Sequence, residues 1–277
     1  MQNHTTPRVK MSLVLDEIQS VDHNCLAEKY SQLNDHQIKI GKDFISSLSL
    51  THGDMLRVLD MGCGTGELTA LIAETLGDGS EIIGVDPILE RISIARNKHS
   101  RENLSFIHGD SSSEFPGYNE ACYDLHFSNF VVQWLDPREK EIFLNTAFRI
   151  LKPGGRLAIL SVEGSEIVAA ALELLRNDDA AINSKQPVPQ YRLNKTQLED
   201  LSRQAGFAII SNVYKPAHYR FVDLYHFLNW MRATFYISHS ELCQRKVEKF
   251  EQRFVNQDGT VTFTVSTIYQ LIARKHE

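Results

Sequence analysis

The stretch from Leu56 to Ala70 constrains the fold of this chain more than any other. It reads LRVLDMGCGTGELTA, and, Arg57 aside, the run up to Met61 is apolar in the way of a strand buried on both faces. Glycines follow at positions 62, 64 and 66, and helix-compatible residues begin at Glu67. This order predicts a buried strand, a tight turn and a helix whose first N–H groups favour a negatively charged ligand group.

The residues of this turn distinguish three kinds of ligand. A phosphate-binding nucleotide loop would end in Gly-Lys-Ser/Thr, but Gly66 is followed by Glu67. A dinucleotide fingerprint has the spacing G-x-G-x-x-G, whereas this turn has G-x-G-x-G. The turn lacks Lys and Arg and is flanked by Asp60 and Glu67, which suits a zwitterion better than a pyrophosphate. S-adenosylmethionine fits, and a plain strand–helix connection is the alternative.

Composition restricts the partners of the protein. The chain has 277 residues, enough for one sizeable α/β core with additional segments. Its 29 basic and 35 acidic residues give a net charge of −6, so no overall basic field would hold nucleic acid. No apolar run is long enough to predict a membrane span, and the first residues lack the apolar core of a secretory signal. We therefore expect a cytoplasmic protein with no nucleic-acid or membrane partner, and an oligomeric state that the sequence leaves open.

Strands and helices alternate along the middle of the chain. After the first strand, the sequence predicts strands at 81–86, 103–108, 122–128, 155–161 and 207–214. The segment 261–273 alternates apolar and polar residues for much of its length, as a last, antiparallel strand would. The whole pattern predicts an α/β fold with a doubly wound, seven-stranded, mostly parallel sheet of the Rossmann-like type.

The remaining segments are predicted to form a helical cap on a single domain. The N-terminal tail and helices occupy 1–50, the cofactor-binding core 51–161, and the cap insertions 163–193 and 219–255. The segment 219–236 is rich in aromatic residues, as either a lid over an apolar acceptor or an ordinary packed helix would be.

Polar side chains stand at the predicted carboxyl ends of the strands, where doubly wound sheets bind ligands. They are Asp60, Asp86, Asp110, Asn129 and Ser161. Asp86 follows the last glycine of the turn by 20 residues, where a carboxylate can bind the hydroxyls of a ribose. Asp110 lies where an adenine amino group would project, although Gly-Asp-Ser is also a turn composition.

Five motifs together resemble the class I S-adenosylmethionine-dependent methyltransferases. They are VLDMGCGTG (58–66), IIGVDP (82–87), HGDSSS (108–113), YDLHFSN (123–129) and LKPGGRLAI (151–159), and they cover about residues 56–161. A finer resemblance is to the trans-aconitate, juvenile hormone acid and malonyl-acyl-carrier carboxyl methyltransferases. It rests on FSNFVVQWL (127–135), on FLNWMRATF (227–235) and on Tyr30 followed seven residues later by Gln37.

The resemblance implies roles for individual residues. The methionine part of the cofactor would lie along the glycines, with Asn129 at its amine, while Gln133 and Trp134 would orient the acceptor. The implied cofactor-binding set is Tyr30, Gln37, Asp60, Gly62, Cys63, Gly64, Gly66, Asp86, Pro87, Asp110, Ser111 and Asn129. No metal ligand or general base is assigned, and the Cys63 side chain is expected to pack rather than to act as a nucleophile.

The resemblance implies a small-molecule acceptor, and the expected reaction is O-methylation of a carboxylate. A carboxylate is already ionised near pH 7 and needs no base, and the nearest base candidates at the strand ends are Glu163 and His218. The alternatives are N-methylation of a small amine, a catalytically silent cofactor-binding subunit, and a nicotinamide dehydrogenase.

Overall fold

A computed structural model describes residues 23–175, 191–235, 237 and 242–276. The predicted tail before residue 23 and the polar loop predicted around Pro187 and Pro189 lie outside these residues. The described residues fall into two compact units. The helical unit takes its residues from Met1–Leu33, Glu166–Gln186 and Tyr219–Phe263, and the sheet unit takes its residues from Asn34–Ser165, Pro187–His218 and Thr264–Glu277. The division into a core and a cap of one domain stays a prediction.

The elements are numbered here along the chain. The strands are β1 (Arg57–Met61), β2 (Glu81–Asp86), β3 (Leu104–His108), β4 (Tyr123–Asn129), β5 (Leu151–Val162), β6 (Phe207–Tyr214), β7 (Ala217–Phe221), β8 (Val261–Val265) and β9 (Ile268–Lys275). The helices are α1 (His23–Leu33), α2 (Asp35–Ser47), α3 (Glu67–Leu76), α4 (Leu89–Lys98), α5 (Pro137–Ile150), α6 (Glu166–Leu175), α7 (Lys195–Gln204), α8 (Leu224–Phe235) and α9 (Gln244–Phe254).

The sheet unit is built on a seven-stranded sheet in the order β3-β2-β1-β4-β5-β9-β6. The first five of these strands are parallel, and β9 runs antiparallel between β5 and β6. The predicted fold class is therefore confirmed. The central strands are buried on both faces, since Val58 and Leu59 of β1 and Leu125 of β4 are inaccessible to solvent. This burial explains the apolar residues Val58 and Leu59 of β1, whereas in β4 polar residues alternate with the buried Tyr123, Leu125 and Phe127.

Local signals explain where the helices of the sheet unit begin. Asp136 precedes α5 and accepts a 2.7 Å hydrogen bond from the backbone N–H of Glu139, whose own side chain accepts from the Asp136 N–H. Pro137, the first helical residue, needs no N–H partner there. Asn194 caps α7 in the same reciprocal way with Gln197. Among the described helices, none is both long and apolar enough to span a bilayer.

The prediction of one strand over 261–273 is wrong. The chain forms β8 and β9 there, and β8 joins β7, a strand that the sequence did not predict, in a separate two-stranded sheet. The break lies at Thr267, whose carbonyl accepts from the backbone N–H of Glu163 at 3.2 Å and whose hydroxyl donates to the carbonyl of Gly164 at 2.6 Å. These bonds attach the turn between the two strands to the end of β5.

The helical unit has an aromatic interior of its own. Phe227 of α8 is fully buried, and its ring lies 5.9 Å from Phe250, 5.7 Å from Phe263 and 5.2 Å from Phe221 (centroid to centroid). Trp230 packs against Phe221 at 5.3 Å. Packing within this unit therefore accounts for Phe221, Phe227 and Trp230, and these residues give no support by themselves to a lid over an acceptor.

Candidate active site

The turn after β1 requires glycine at two positions. Gly62 and Gly66 have φ angles of 83° and 89°, in the left-handed region that L side chains rarely adopt. A Cβ at Gly62 would also collide with the side chain of Val131, and one at Gly66 would lie 2.7 Å from the ring of Phe106. The turn is thus held by conformation and by close packing.

Asp86 fastens this turn to the next strand. One of its carboxylate oxygens accepts from the backbone N–H of Gly64 and the other from that of Ile88, both at 2.9 Å. Asp86 is 3% exposed, so its side chain has little contact with bulk solvent and is bound by these two backbone donors. The residue predicted to bind ribose is therefore also a structural anchor, because it connects the glycine turn to the start of α4.

Asp60 is buried at the end of β1 beside the same turn. Its Oδ2 accepts a 2.7 Å hydrogen bond from the hydroxyl of Thr69, in the first turn of α3. Burial, with a further contribution from the charge of Asp86, raises the pKa of Asp60 to about 7, against the opposing effect of the Thr69 bond. This carboxyl can therefore change its charge near neutral pH.

The Cys63 side chain packs in an apolar cluster with Ile92, Ala95 and Phe106. Its backbone N–H donates to the carbonyl of Val85 at 3.0 Å. Burial, with the nearby Asp86 and Asp60 charges, raises the pKa of its thiol. These contacts support the expected packing role, because a protonated, enclosed thiol is a poor nucleophile.

Asp110 and Ser111 follow β3 in a hydrogen-bonded turn. Oδ1 of Asp110 accepts from the N–H of Ser112 at 2.7 Å and from the hydroxyls of Ser112 and Ser113 at 2.6 and 3.0 Å. Although burial opposes it, these bonds lower the pKa of the exposed Asp110 carboxyl. Ser111 is buried, and its carbonyl accepts from Thr146 of α5 at 2.9 Å. At least one oxygen of Asp110 is thus used by its own turn. Pro87, after β2, places its carbonyl 3.0 Å from the Nε2 atom of His108.

The loop after β4 turns on Phe130, which adopts φ 57°. Its carbonyl accepts from the side-chain amide of Gln133 at 2.9 Å and from the indole N–H of Trp134 at 3.0 Å. The hydroxyl of Ser161, at the end of β5, donates to Oε1 of Gln133 at 2.9 Å. Both the nitrogen and the oxygen of the Gln133 amide are therefore hydrogen-bonded, between the ends of β4 and β5. Gln133 is 6% exposed.

These bonds bear on the role expected of Trp134, which stays a prediction. An indole has a single donor, and here it is given to Phe130, so it does not hold an acceptor oxygen in this conformation. Gln133 differs, because an amide nitrogen has two hydrogens and only one is needed for Phe130. Trp134 stabilises the loop, and within the described part of the chain Gln133 keeps one N–H donor without a partner.

Asn129 is the last residue of β4, and its side-chain oxygen is a hydrogen-bond acceptor without a donor among the described residues. This oxygen, Oδ1, is buried. A buried acceptor of this kind fits a donor supplied by a ligand, and an ammonium group is such a donor. Together with the N–H groups at the start of α3, which favour a carboxylate, Asn129 makes the edge of the sheet suitable for the zwitterionic end of S-adenosylmethionine.

Tyr30 and Gln37 lie on different units. Tyr30 belongs to α1 of the helical unit, and Gln37 lies on the buried face of α2 in the sheet unit. No sequence pattern indicated Asn34, which lies between these helices and donates from Nδ2 to the Thr65 hydroxyl in the glycine turn, at 3.4 Å. A single asparagine between two helices belongs to no motif.

The two base candidates at the strand ends are both paired. Oε1 of Glu163 accepts from the hydroxyl of Tyr214 at 2.6 Å and from the backbone N–H of Lys195 at 3.0 Å. The Nδ1 atom of His218 lies 2.7 Å from the Thr264 hydroxyl, on the exposed face of the two-stranded sheet. Both side chains are therefore hydrogen-bonded within the described part of the chain, and neither is positioned as a free base beside Gln133.

A strand, glycine turn and helix at the centre of this sheet, with acids at the ends of the first two strands, define a class I S-adenosylmethionine-dependent methyltransferase. The methyltransferase domain family matches residues 52–212, and the chain belongs to that family. A ubiquinone biosynthesis O-methyltransferase of Rattus norvegicus is 29% identical over 49% of this chain and 40% of its own length. A trans-aconitate 2-methyltransferase of Methylobacterium radiotolerans is 29% identical over 74% of this chain and 77% of its own length.

Solved structures show the same fold. The YcgJ protein of Bacillus subtilis has 18% sequence identity and a TM-score of 0.55, over 87% of this chain and 99% of that one. The matched part of the rat relative is less than half of that protein, so its activity is not transferred to this chain as a whole.

Proposed function

We propose that this protein transfers the methyl group of S-adenosylmethionine to a carboxylate of a small molecule. The observation that carries the proposal is the placement of Gln133, which is buried, fixed by Ser161 and Phe130, and still has an amide hydrogen to donate. It lies on the loop after β4, next to the strand that bears the glycine turn. A neutral donor here can hold an ionised acceptor but cannot deprotonate an ammonium group.

The chemistry asks little of the protein beyond alignment. The cofactor supplies a methyl group already activated on a sulfonium, so a carboxylate oxygen forms the new O–C bond while the C–S bond breaks and its electron pair stays on sulfur. No proton has to be moved. Orientation alone can supply about 7–11 kcal/mol of the barrier in such a displacement. Asp86 would hold the ribose, Asn129 the ammonium group, and Gln133 the acceptor oxygen that does not attack.

The relatives support a small acceptor and leave its chemistry open. The Methylobacterium relative is named for trans-aconitate, a carboxylic acid, whereas the rat relative is named as an O-methyltransferase of ubiquinone biosynthesis. N-methylation of a small amine is the second candidate. It would need a base, and Glu163 and His218, the two candidates from the sequence, are engaged elsewhere.

The test is a methyl-transfer screen with labelled S-adenosylmethionine against small carboxylic acids, amines and phenols, with mass spectrometry of the products. We expect a methyl ester. With that acceptor, Gln133→Ala should lower kcat while leaving the affinity for S-adenosylhomocysteine unchanged, and Gln197→Ala, at the cap of α7, serves as the control. An N-methyl product, or a Gln133→Ala enzyme as fast as the wild type, would contradict the carboxylate assignment. A wild-type protein that binds neither form of the cofactor would contradict the proposed function altogether.

A further inference from the structure

Asn34 occupies a capping position without capping. It is the single residue between α1 and α2, and it precedes the first residue of α2. An asparagine at such a position normally accepts a hydrogen bond from the first turn of the helix through its side-chain oxygen. Here the side chain makes no capping bond. Its oxygen is therefore not used for the purpose that best explains this residue type at a helix start.

The orientation of the Asn34 amide is set by the glycine turn. Its Nδ2 donates to the Thr65 hydroxyl at 3.4 Å, and that hydroxyl in turn donates to Oε2 of Glu67 at 2.6 Å. Thr65 is fully buried between two glycines of the turn. With the nitrogen directed at Thr65, the oxygen of the amide has to point elsewhere.

That oxygen is buried and has no hydrogen-bond partner among the described residues. Asn34 is 3% exposed, so its side-chain oxygen has little contact with bulk solvent. A buried carbonyl without a donor is costly to the folded protein, which favours a ligand that brings one.

Helix packing holds Asn34 at the turn. On the buried face of α2, Gly41 lies so close to Leu68 of α3 that a Cβ would collide with the leucine side chain. Because Leu68 lies in the first turn of α3, directly after the glycine turn, this contact packs the middle of α2 against the start of α3. Asn34 is therefore placed by two independent contacts, one through its side chain and one through its helix.

We infer that Oδ1 of Asn34 accepts a hydrogen bond from the ammonium group of the cofactor's amino-acid part. The inference rests on the proposed function in one respect, that the cofactor is S-adenosylmethionine. An ammonium group has three N–H donors, and a buried one needs acceptors for them. Asn129 offers a second buried oxygen without a partner, at the end of the strand that neighbours β1. Asn34 and Asn129 together account for two of the three donors.

The test compares two ligands that differ in the amino-acid part. S-adenosylhomocysteine carries the ammonium group, whereas 5′-methylthioadenosine keeps the nucleoside and the thioether but lacks it. Calorimetry should show that Asn34→Ala lowers the affinity for S-adenosylhomocysteine by about tenfold, as expected for one lost hydrogen bond. The affinity for 5′-methylthioadenosine should stay within about twofold of the wild-type value. Asn34→Asp keeps an acceptor oxygen and should bind S-adenosylhomocysteine at least as well as the alanine variant binds it.

Asn103→Ala is the matched control. Asn103 also donates from Nδ2, to the carbonyl of Gly77 at 3.0 Å, and also has a buried Oδ1 without a partner, but it lies before β3 at the opposite edge of the sheet. This variant should bind both ligands like the wild type. The inference would be overturned if Asn34→Ala weakened the binding of both ligands equally, or of neither. In that case the proposed function would still stand, provided that the wild type binds S-adenosylhomocysteine.

Hydrogen exchange of the wild type gives a readout that needs no variant. The amides at the start of α2 should exchange more slowly with S-adenosylhomocysteine bound than with 5′-methylthioadenosine bound at equal occupancy. Equal protection by the two ligands would also overturn the role of Asn34.

Discussion

Asp60 and His126 are two buried ionisable residues that lie one register position apart on neighbouring strands. Asp60 of β1 pairs with Phe127 of β4, and His126 pairs with Leu59. Their side chains therefore point to opposite faces of the sheet. Burial raises the pKa of Asp60 to about 7 and lowers that of His126 to about 3. Between these values both side chains are uncharged in the folded protein.

The His126 ring is enclosed by apolar groups. It stands edge-on to Phe143 with 5.0 Å between the ring centroids, and neither ring nitrogen has a hydrogen-bond partner among the described residues. Because the pKa in the folded protein lies below the ordinary value of 6.5, the contribution of His126 to stability is present above pH 6.5 and is lost as the pH falls toward 3. The buried Asp60 acts in the opposite direction, since its contribution is present below pH 3.8 and is lost as the pH rises through 7.

We predict that His126→Phe exposes the effect of Asp60. In the wild type the two slopes oppose each other between about pH 4 and 6.5. Without the histidine, the free energy of unfolding should rise by about 2 kcal/mol as the pH is lowered from 7 to 5. Urea unfolding at each pH is the measurement, and a variant whose curve runs parallel to that of the wild type would contradict the prediction.

We predict the reverse for Asp60→Asn, which keeps an acceptor for the Thr69 hydroxyl but has no charge to lose. Its free energy of unfolding should fall as the pH is lowered from 6.5 to 4.5, because only the His126 effect remains, by about 2 kcal/mol. Thr146→Ser, which keeps its hydroxyl and changes no charge, is the control and should follow the wild type. If the aspartate and asparagine forms respond alike to pH, the raised pKa of Asp60 is wrong.

We predict that Asp86→Ala loses both cofactor affinity and stability. The carboxylate accepts from the N–H groups of Gly64 and Ile88, and hydrogen bonds to a charged group contribute roughly 1.5–3 kcal/mol each. Unfolding should therefore be easier by about 2 kcal/mol or more, and S-adenosylhomocysteine should bind at least about tenfold more weakly. Asp110→Ala, at an exposed turn, should change stability by less than half as much. Unchanged stability of Asp86→Ala would show that the turn does not depend on this anchor.

We predict that the aromatic interior of the helical unit is a core. Phe227→Ala removes a fully buried ring and should lower the free energy of unfolding by about 3–5 kcal/mol. Val222→Ala, at a site that is 65% exposed, should stay within about 0.5 kcal/mol of the wild type. The stability of both variants is measured by thermal unfolding, with hydrogen exchange of the α8 amides as the local probe. A Phe227→Ala protein as stable as the wild type would instead favour a surface that is covered only when ligand is bound.

The centre of the sheet could be predicted because its signals are local. The apolar residues of β1 and β2, the glycine turn and the Asp136-Pro137 start of α5 each indicate their structure within a few residues. The pairing of β8 could not be read in the same way. Alternation at 261–265 indicates a strand with one covered face but does not say whether its partner is the main sheet or a short strand such as β7.

For the site residues, too, the local features could be predicted from the sequence and the long-range contacts could not. The positions of Asp86 and Gln133 follow from motif spacing, but their hydrogen bonds do not, because Ile88 and Ser161 become partners only in the folded chain. The indole of Trp134 was expected to face an acceptor, and its use by Phe130 depends on a left-handed φ at a residue that is not glycine. Sequence patterns seldom indicate such a conformation.

The placement of β9 has a consequence for synthesis of the chain. β9 lies between β5 and β6, and β6 has no other neighbour in the sheet, although it leaves the ribosome well before β9. A nascent chain can therefore assemble the five parallel strands with the glycine turn before β9 is made. At that stage β6 has no partner strand and one edge of β5 has unpaired backbone groups. Unpaired edges of this kind favour association between incomplete chains, so arrest of translation before residue 268 should leave a species that needs a chaperone.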